Sequence, residues 1–458
     1  MSAPLPASTE SDRPLAPADA AHAGGDARPA LTPPALLAPL LGTPVAVFGG
    51  GVSGLAVRDV LARLGARGAI FDEKPGAGTA QTFSRADAEQ HRLVVFSPGF
   101  APDHVWLQTA RAAGCTCLGE LDFASLFWSG RILAITGTNG KTTLTEFLTH
   151  ALGAAGKAAF AVGNVGFPFS RLLLQTCAVD AIAVCEVSSF QAETLRHFRA
   201  DATLWTNFAE DHLERHPELS GYFAAKWNLV DRTRPGAVFA GPSVTRFAGK
   251  FGRRLPAEAG VGTEDASPDA RLEGTPFARY PQRENFQLAL AWWRRTGRPE
   301  ALLYAAARSF RLGRHRLALV SELRGVSFWN DSKATNFHAV EAALATFPAP
   351  VHLILGGRSK GGDLPAFVIR IAAKCRHVWL IGETRASLAA CCEAADLPHT
   401  VCHSFAEAVR GAAAAAQPGE AVVLSPAFAS FDMFRSYADR GDQFESLAAS
   451  LGATSIFQ

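Results

Sequence analysis

The strongest chemical signal in the chain is Gly137-Thr138-Asn139-Gly140-Lys141-Thr142-Thr143, which follows an apolar run and precedes a helical stretch. A strand that turns through glycines into a helix leaves backbone N–H groups free to cradle phosphates. Lys141 would neutralise those phosphates, and the Thr142 hydroxyl is placed to coordinate Mg²⁺. Ile135 stands where the strict phosphate-loop pattern has its first glycine, and Gly137 supplies the flexibility instead. The spacing predicts a site for the phosphates of ATP. A purely structural turn has no need of the Gly-Lys-Thr triplet between a buried strand and a helix.

A second glycine loop, Gly49-Gly50-Gly51-Val52-Ser53-Gly54, also follows an apolar run and opens a helix. Its glycines at 49, 51 and 54 fit G-x-G-x-x-G. Asp72 ends the next strand candidate, about 20 residues on, where an acid can take a ribose hydroxyl. This fingerprint predicts a nucleotide diphosphate without saying which; a UDP-sugar and a dinucleotide suit the same cradle.

Further candidates lie at strand ends. Glu186 closes the apolar run 181–185, where a carboxylate beside a phosphate loop can hold Mg²⁺. Thr206-Asn207-Phe208-Ala209-Glu210-Asp211-His212 follows another strand candidate. His212 by itself reads more readily as a hydrogen-bonded loop histidine than as a ligand. Lys226 by itself reads as a surface lysine on a helix. Three more polar segments, 329–336, 355–363 and 424–434, each follow an apolar strand and should line one edge of one sheet. They supply Lys333, Lys360, hydroxyls and helix N-termini, a set that suits an anionic small molecule.

These segments need a scaffold that brings strand ends together. Apolar runs at 45–49, 69–72, 93–96, 132–136, 181–187, 203–207, 326–330, 351–355, 378–381 and 421–424 alternate with helical stretches. That pattern predicts an α/β chain with mainly parallel sheets buried on both faces. The chain has 458 residues, 48% hydrophobic and 19% charged, enough for about three domains around real cores. We expect an Ala/Pro-rich disordered tail over 1–35, then domains at 36–120, 121–312 and 313–458. Residues 241–283 read as irregular. The net charge of +2 excludes a nucleic-acid footprint. No apolar run of about 18 residues predicts a membrane span. No signal-peptide pattern opens the chain, and its eight cysteines show no zinc or disulfide spacing, so a cytoplasmic location is expected.

Taken together, these motifs resemble the Mur ligase family. The resemblance runs from about residue 45 to 444 and rests on TGTNGKTT (136–143), GNVG (163–166), EVSSFQ (186–191), EDH (210–212), NDSKATN (330–336) and SPAFASFDMF (425–434). The last two point to the glutamate-adding branch. The resemblance implies a Rossmann-like UDP-binding domain, a central ATPase domain and a C-terminal Rossmann-like domain. It implies a monomer that joins D-glutamate to UDP-N-acetylmuramoyl-L-alanine through an acyl phosphate, forming ADP and phosphate. It assigns the phosphoryl group to Lys141, one Mg²⁺ to Thr142 and Glu186, and a second to His212 and a CO₂-derived carbamate on Lys226. Asn164 would stand near the reacting carboxylate. Asn285, Arg316 and Asp331 would contact ATP. Lys333, Thr335, Lys360, Ser430, Phe431 and Tyr437 would form the glutamate pocket. Val52, Ser53, Asp72, Glu73, Lys74, Ser97 and Gly99 would hold the UDP moiety. Glu284, Phe428 and Tyr437 depart from the family's usual residues. The rival readings are the same ligation with L-glutamate, a folylpolyglutamate synthetase-like ligase, an NAD-dependent oxidoreductase and a nucleotide sensor.

Overall fold

The computed structural model describes residues 31–76, 78–175, 177–262, 268–452 and 454–455. The expected tail lies outside the described residues up to position 30. From Pro34 the backbone already turns, and Leu37 is buried.

All ten apolar runs are strands, and they belong to three sheets. The first holds β1 (Val45–Phe48), β2 (Gly68–Phe71), β3 (Thr79–Ala80), β4 (Leu93–Phe96) and β5 (Thr116–Gly119), in the order β3-β2-β1-β4-β5, all parallel. The second holds β6 (Arg131–Thr136), β7 (Ala159–Gly163), β8 (Ile182–Glu186), β9 (Ala202–Trp205) and β10 (Val238–Ala240), in the order β10-β9-β6-β8-β7. The third holds β11 (Ala318–Leu323), β12 (Val326–Asn330), β13 (Val351–Gly356), β14 (Cys375–Ile381), β15 (His399–Val401), β16 (Ala421–Leu424) and β17 (Thr454–Ser455). Its order is β15-β14-β13-β16-β12-β11-β17, with β11 antiparallel to both neighbours.

The seven strands without an apolar run, β3, β5, β7, β10, β11, β15 and β17, are mostly short and peripheral, where a strand can be polar or brief. Residues 241–283 are less irregular than expected. Pro242–Lys250 is a helix, with Gly241 at its N-cap and Pro at its first position, a pair of start signals among residues otherwise rich in breakers.

The chain forms two compact units. One runs to Ser129 and adds Ala161–Val179; the other comprises Gly130–Phe160 and the chain from Asp180 onward. The larger unit contains most of the second sheet and all of the third. In the third sheet, Leu353, Leu355 and Val423 face one apolar cluster while Ile354, Val422 and Leu424 face another. This alternation between two buried faces is why the strands read as continuous apolar runs. Among the described residues no helix is long and apolar enough to cross a membrane.

The order of strands decides where the polar segments meet. β13, β16 and β12 are adjacent and parallel, so the segments after Gly356, Leu424 and Asn330 lie side by side. β9, β6 and β8 are likewise adjacent, which sets the phosphate loop between Glu186 and Thr206. The helix after the loop, Lys141–Ala154, is anchored by Leu144, Phe147, Leu148 and Ala151, one face at helical spacing. Phe147 lies 4.3 Å from Phe277 and 5.4 Å from Phe310, ring centre to ring centre. Phe147→Ala should therefore lower stability by about 3–5 kcal/mol, read from the shift of the chemical denaturation midpoint.

Candidate active site

The phosphate loop is held by its neighbours before any ligand is considered. Gly137 has φ +147°, and a Cβ there would lie 1.9 Å from Thr206 Oγ1. Gly140 has φ +82°, and a Cβ there would lie 2.7 Å from Asn285 Oδ1. Both positions thus require glycine for conformation and for space. The Asn207 amide brackets Asn139: its Oδ1 accepts from Asn139 N at 2.8 Å and its Nδ2 donates to Asn139 O at 3.1 Å. Thr138 Oγ1 donates to Ala209 O at 3.1 Å and accepts from Ala209 N at 3.0 Å.

Two lysines converge on this loop. Lys141 Nζ donates to the carbonyls of Gly137 at 3.0 Å and Thr138 at 2.9 Å. Lys226, on the helix Leu219–Val230, is only 1% exposed, and its Nζ donates to the same Gly137 carbonyl at 2.7 Å. The reading of Lys226 as a surface residue is thereby excluded. Burial lowers the pKa of both amines, that of Lys226 well below the ordinary lysine range. The Lys141 charge depresses Lys226 further, while Asp211 and Glu186 pull the other way. Glu186 closes β8 with its side chain buried, and Thr142 is buried in the first turn of the loop helix.

Asp211 and His212 follow β9. His212 has φ +56°, the left-handed region, which a non-glycine residue holds only when its surroundings enforce it. Its N–H donates to Asp211 Oδ1 at 2.9 Å, and its Nδ1 lies 3.2 Å from Glu214 Oε1. Burial holds the imidazole below its usual pKa against the pull of Asp211. Burial also pushes the Asp211 carboxyl up, but Lys360, His212 and the Asn336 amide together bring it below the usual carboxylate range. Asp211, His212, Thr335, Asn336, Lys360 and Phe428 are among the residues lining one small, half-open cleft. Lys360 Nζ donates to Thr335 Oγ1 at 3.3 Å and lies 3.6 Å from Asp211 Oδ1.

The other assigned residues fall around these two centres. Arg316 and Lys333 are close enough to act electrostatically on Lys141 and on Glu146 of the loop helix. Lys333 Nζ donates to the Tyr437 hydroxyl at 3.1 Å and sits 4.5 Å from the centre of its ring. Asn285 packs against Gly140 and donates to Gln282 Oε1 at 2.8 Å. Asp331 accepts from Leu317 N at 3.0 Å and from Ser425 Oγ at 2.8 Å, so it joins two segments of the third sheet's edge. Ser430 is buried, whereas Phe431 is 68% exposed and is not among the residues lining the cleft.

In the smaller unit, Gly49 has φ +102°, and a Cβ there would lie 2.6 Å from Ser97 Oγ. A Cβ on Gly54 would meet the Gly49 carbonyl at 1.8 Å. Asp72 holds the loop: its Oδ2 accepts from Gly50 N at 2.6 Å and its Oδ1 from Lys74 N at 2.9 Å. The Gly50 bond is the main reason its carboxyl titrates below the usual range. Ser97 Oγ is buried with no hydrogen-bond partner among the described residues. Val52 and Gly51 are exposed, Ser53 is half-buried, and the first helical turn has no side-chain cap. Glu73 lies 3.3 Å from His104 Nε2. Asn164 is exposed in a tight turn between Gly163 and Gly166, both at positive φ.

Several residues of evident importance were not singled out from the sequence. Thr206, Asn207 and Asp211 lie in the polar strand-end segment that was, and Asn336 ends NDSKATN. Arg440 carried no signal, because an arginine on a helix reads as solvent-facing. It is fully buried: Nε donates to Ser332 Oγ at 2.9 Å, Nη2 to Ser332 O at 2.8 Å and Nη1 to Phe428 O at 3.2 Å. Burial brings its pKa down to about 10.

This arrangement, a phosphate loop on which two lysine amines converge and a polar cleft holding Lys360 at an adjoining sheet edge, is that of an ATP-handling ligase. The chain belongs to the Mur ligase family: residues 135–264 match the Mur ligase middle domain and residues 315–428 the Mur ligase glutamate ligase domain. It is 37% identical to UDP-N-acetylmuramoylalanine–D-glutamate ligase of Gloeobacter violaceus, over 89% of this chain and 99% of that protein. It is 36% identical to the protein of the same name from Solibacter usitatus, over 90% and 99%. The fold resembles that of UDP-N-acetylmuramate-alanine ligase from Thermotoga maritima, with TM-score 0.55, 13% identity, and 89% of this chain and 100% of that one covered.

The environment of Asp331 yields a measurable consequence. Burial pushes its carboxyl up to about 7, from about 4 in an unfolded chain. A raised carboxyl pKa favours folding while the group is protonated, and that contribution is lost as pH rises through the folded value. The melting temperature of wild type minus that of Asp331→Asn should therefore fall as pH is raised from about 4 to about 7. A pH-independent difference would contradict the assigned environment.

Proposed function

We propose that the chain is an ATP-dependent, ADP-forming ligase that adds D-glutamate to UDP-N-acetylmuramoyl-L-alanine in peptidoglycan precursor synthesis. The observation that carries this reading is the convergence of Lys141 and Lys226 on one loop carbonyl, beside buried Glu186 and Asp211 and joined to the Lys360 cleft. The names of the relatives, matched over nearly their whole length, agree with it.

In this reading the glycine loop at 49–54 takes the UDP diphosphate, with the unpartnered Ser97 hydroxyl beside it. The alanine carboxylate of that substrate attacks the γ-phosphorus of ATP, and ADP leaves. Lys141 exchanges its loop carbonyls for phosphate oxygens and neutralises the transferring group. The glutamate amine then attacks the acyl carbon, loses a proton, and phosphate leaves with both electrons of the broken C–O bond. Lys333, Thr335, Lys360 and Ser430 hold the glutamate carboxylates, and Tyr437 orients Lys333 through its hydroxyl. Phe431, matched to the glutamate pocket by the family resemblance, would add an apolar contact to the bound amino acid. Asn285, Arg316 and Asp331 order the nucleotide.

Among the described residues no group of three His, Cys, Asp or Glu side chains could enclose a metal. Thr142 and Glu186, both buried beside the phosphate loop, are a donor set that fits Mg²⁺, which is held by one or two protein groups together with phosphate oxygens and water. Thr142 and Glu186 would hold one ion; His212 and a carbamate on Lys226 would hold a second. The ions supply charge neutralisation at the phosphates. The depressed pKa of Lys226 supports the carbamate, because only a neutral amine takes up CO₂. The division at 36–120, 121–312 and 313–458 is supported by one sheet falling in each interval. A monomer acting in the cytoplasm completes the reading.

Phosphate release from ATP in the presence of UDP-N-acetylmuramoyl-L-alanine should depend on D-glutamate, and not on L-glutamate. Lys141→Ala should reduce that release at least about 10³-fold. Release that follows L-glutamate, or a variant of near-normal rate, would overturn the assignment. Lys226→Ala should also be inactive and should regain part of its rate with short-chain carboxylic acids. Full activity without them would show that Lys226 only packs.

A further inference from the structure

The phosphate loop and the cleft are joined by hydrogen bonds centred on Asn336. Asn139, inside the loop, and Asn336, beside Thr335, form a reciprocal amide pair. Asn139 Nδ2 donates to Asn336 Oδ1 at 3.1 Å, and Asn336 Nδ2 donates to Asn139 Oδ1 at 3.0 Å. The second proton of Asn336 Nδ2 goes to Asp211 Oδ2 at 2.9 Å, and its Oδ1 also accepts from Ala339 N at 2.9 Å. Asn336 is buried, so each bond replaces one that water would otherwise make. Asp211 in turn faces Lys360, which donates to Thr335. On the loop side, the backbone of Asn139 is fixed by Asn207 and by Thr206 Oγ1 at 2.6 Å from Asn139 O. His338 Nδ1 lies 3.0 Å from Asn139 Nδ2, and burial keeps that imidazole towards its neutral form.

Both protons of the Asn336 amide and both lone pairs of its oxygen are engaged, so this side chain has few arrangements. If ATP shifts Asn139, Asn336 must follow or lose bonds in a buried site. Asn336 is also the N-cap of the helix Phe337–Leu344, so its movement is felt there. We propose that Asn336 is a positioning residue that couples occupancy of the phosphate loop to affinity for the acceptor amino acid in the cleft. The inference rests on the ligase reading above and adds to it a residue and a linkage.

Linkage supplies the test. D-glutamate affinity is measured by calorimetry with and without the β,γ-imido analogue of ATP, with saturating UDP-N-acetylmuramoyl-L-alanine in both arms. In the wild type the analogue should tighten D-glutamate binding at least about 5-fold. In Asn336→Ser, which keeps an N-cap hydroxyl but cannot span to Asn139 and Asp211, the ratio should fall below about 2, whatever happens to either affinity alone. Asn336→Asp, which keeps the cap and sets a carboxylate against Asp211, should lose the ratio in the same way. A damaged fold would weaken both arms and leave the ratio intact. In the wild type, the analogue alone should slow amide exchange in the helix Phe337–Leu344. A ratio near 1 in the wild type, an undiminished ratio in either variant, or unchanged exchange would overturn the proposal. Failure of the ligase reading is separable, because it would appear as D-glutamate-independent phosphate release in the wild type.

Discussion

Two lysine amines, Lys226 buried and Lys141 half-buried, share one carbonyl oxygen, that of Gly137, and the site is organised around that sharing. Two like charges so close in a medium that screens poorly cannot both be comfortable. One relief is for an amine to lose its proton, and the other is an anion between them. The first fits the deep depression of Lys226, and the second fits a phosphate drawn to Lys141. Both depend on the carbonyl pointing where it does. The φ of +147° at Gly137 and the Thr206 hydroxyl against its α-carbon hold it there.

Parallel sheets make this crowding affordable. Because β9, β6 and β8 run the same way and lie adjacent, their C-terminal ends deliver Thr206, Gly137 and Glu186 to one place. The adjacent ends of β13, β16 and β12 deliver the cleft's segments in the same manner. The polar residues can be strained and close together because the strands behind them are apolar on both faces. Stability comes from those strands and from helices such as Lys141–Ala154.

What could be read from the sequence follows the range of the interaction. The ten central strands announce themselves because burial on both faces makes them apolar throughout. β11 and β15, at or near the sheet's borders, carry mixed residues and do not. The phosphate loop is legible because its chemistry is local, with strand, glycines, lysine and hydroxyl in one run. The meeting of Lys226 with Gly137 spans 89 positions, and that of Asn336 with Asp211 spans 125, so neither leaves a mark in any window of sequence. The role expected of Lys226 came from family resemblance alone. Its burial, the physical basis for that role, came from the fold. Asp72 is the reverse case: its spacing was plain, but its two oxygens are engaged with the backbone of its own loop.

The helix Tyr437–Ser450 illustrates how a site can govern residues outside it. Arg440 fastens Ser332 to the Phe428 segment, and at the next position a Cβ on Gly441 would lie 2.2 Å from His315 Nδ1. Glycine inside a helix costs about 1 kcal/mol relative to alanine, so local helical preference opposes what stands there. The pair is held by shape on one side and by charge on the other. Drift in this stretch must keep both residues or rebuild His315 and Ser332 with them. Substitution in this part of the third sheet's unit is therefore constrained in blocks rather than residue by residue.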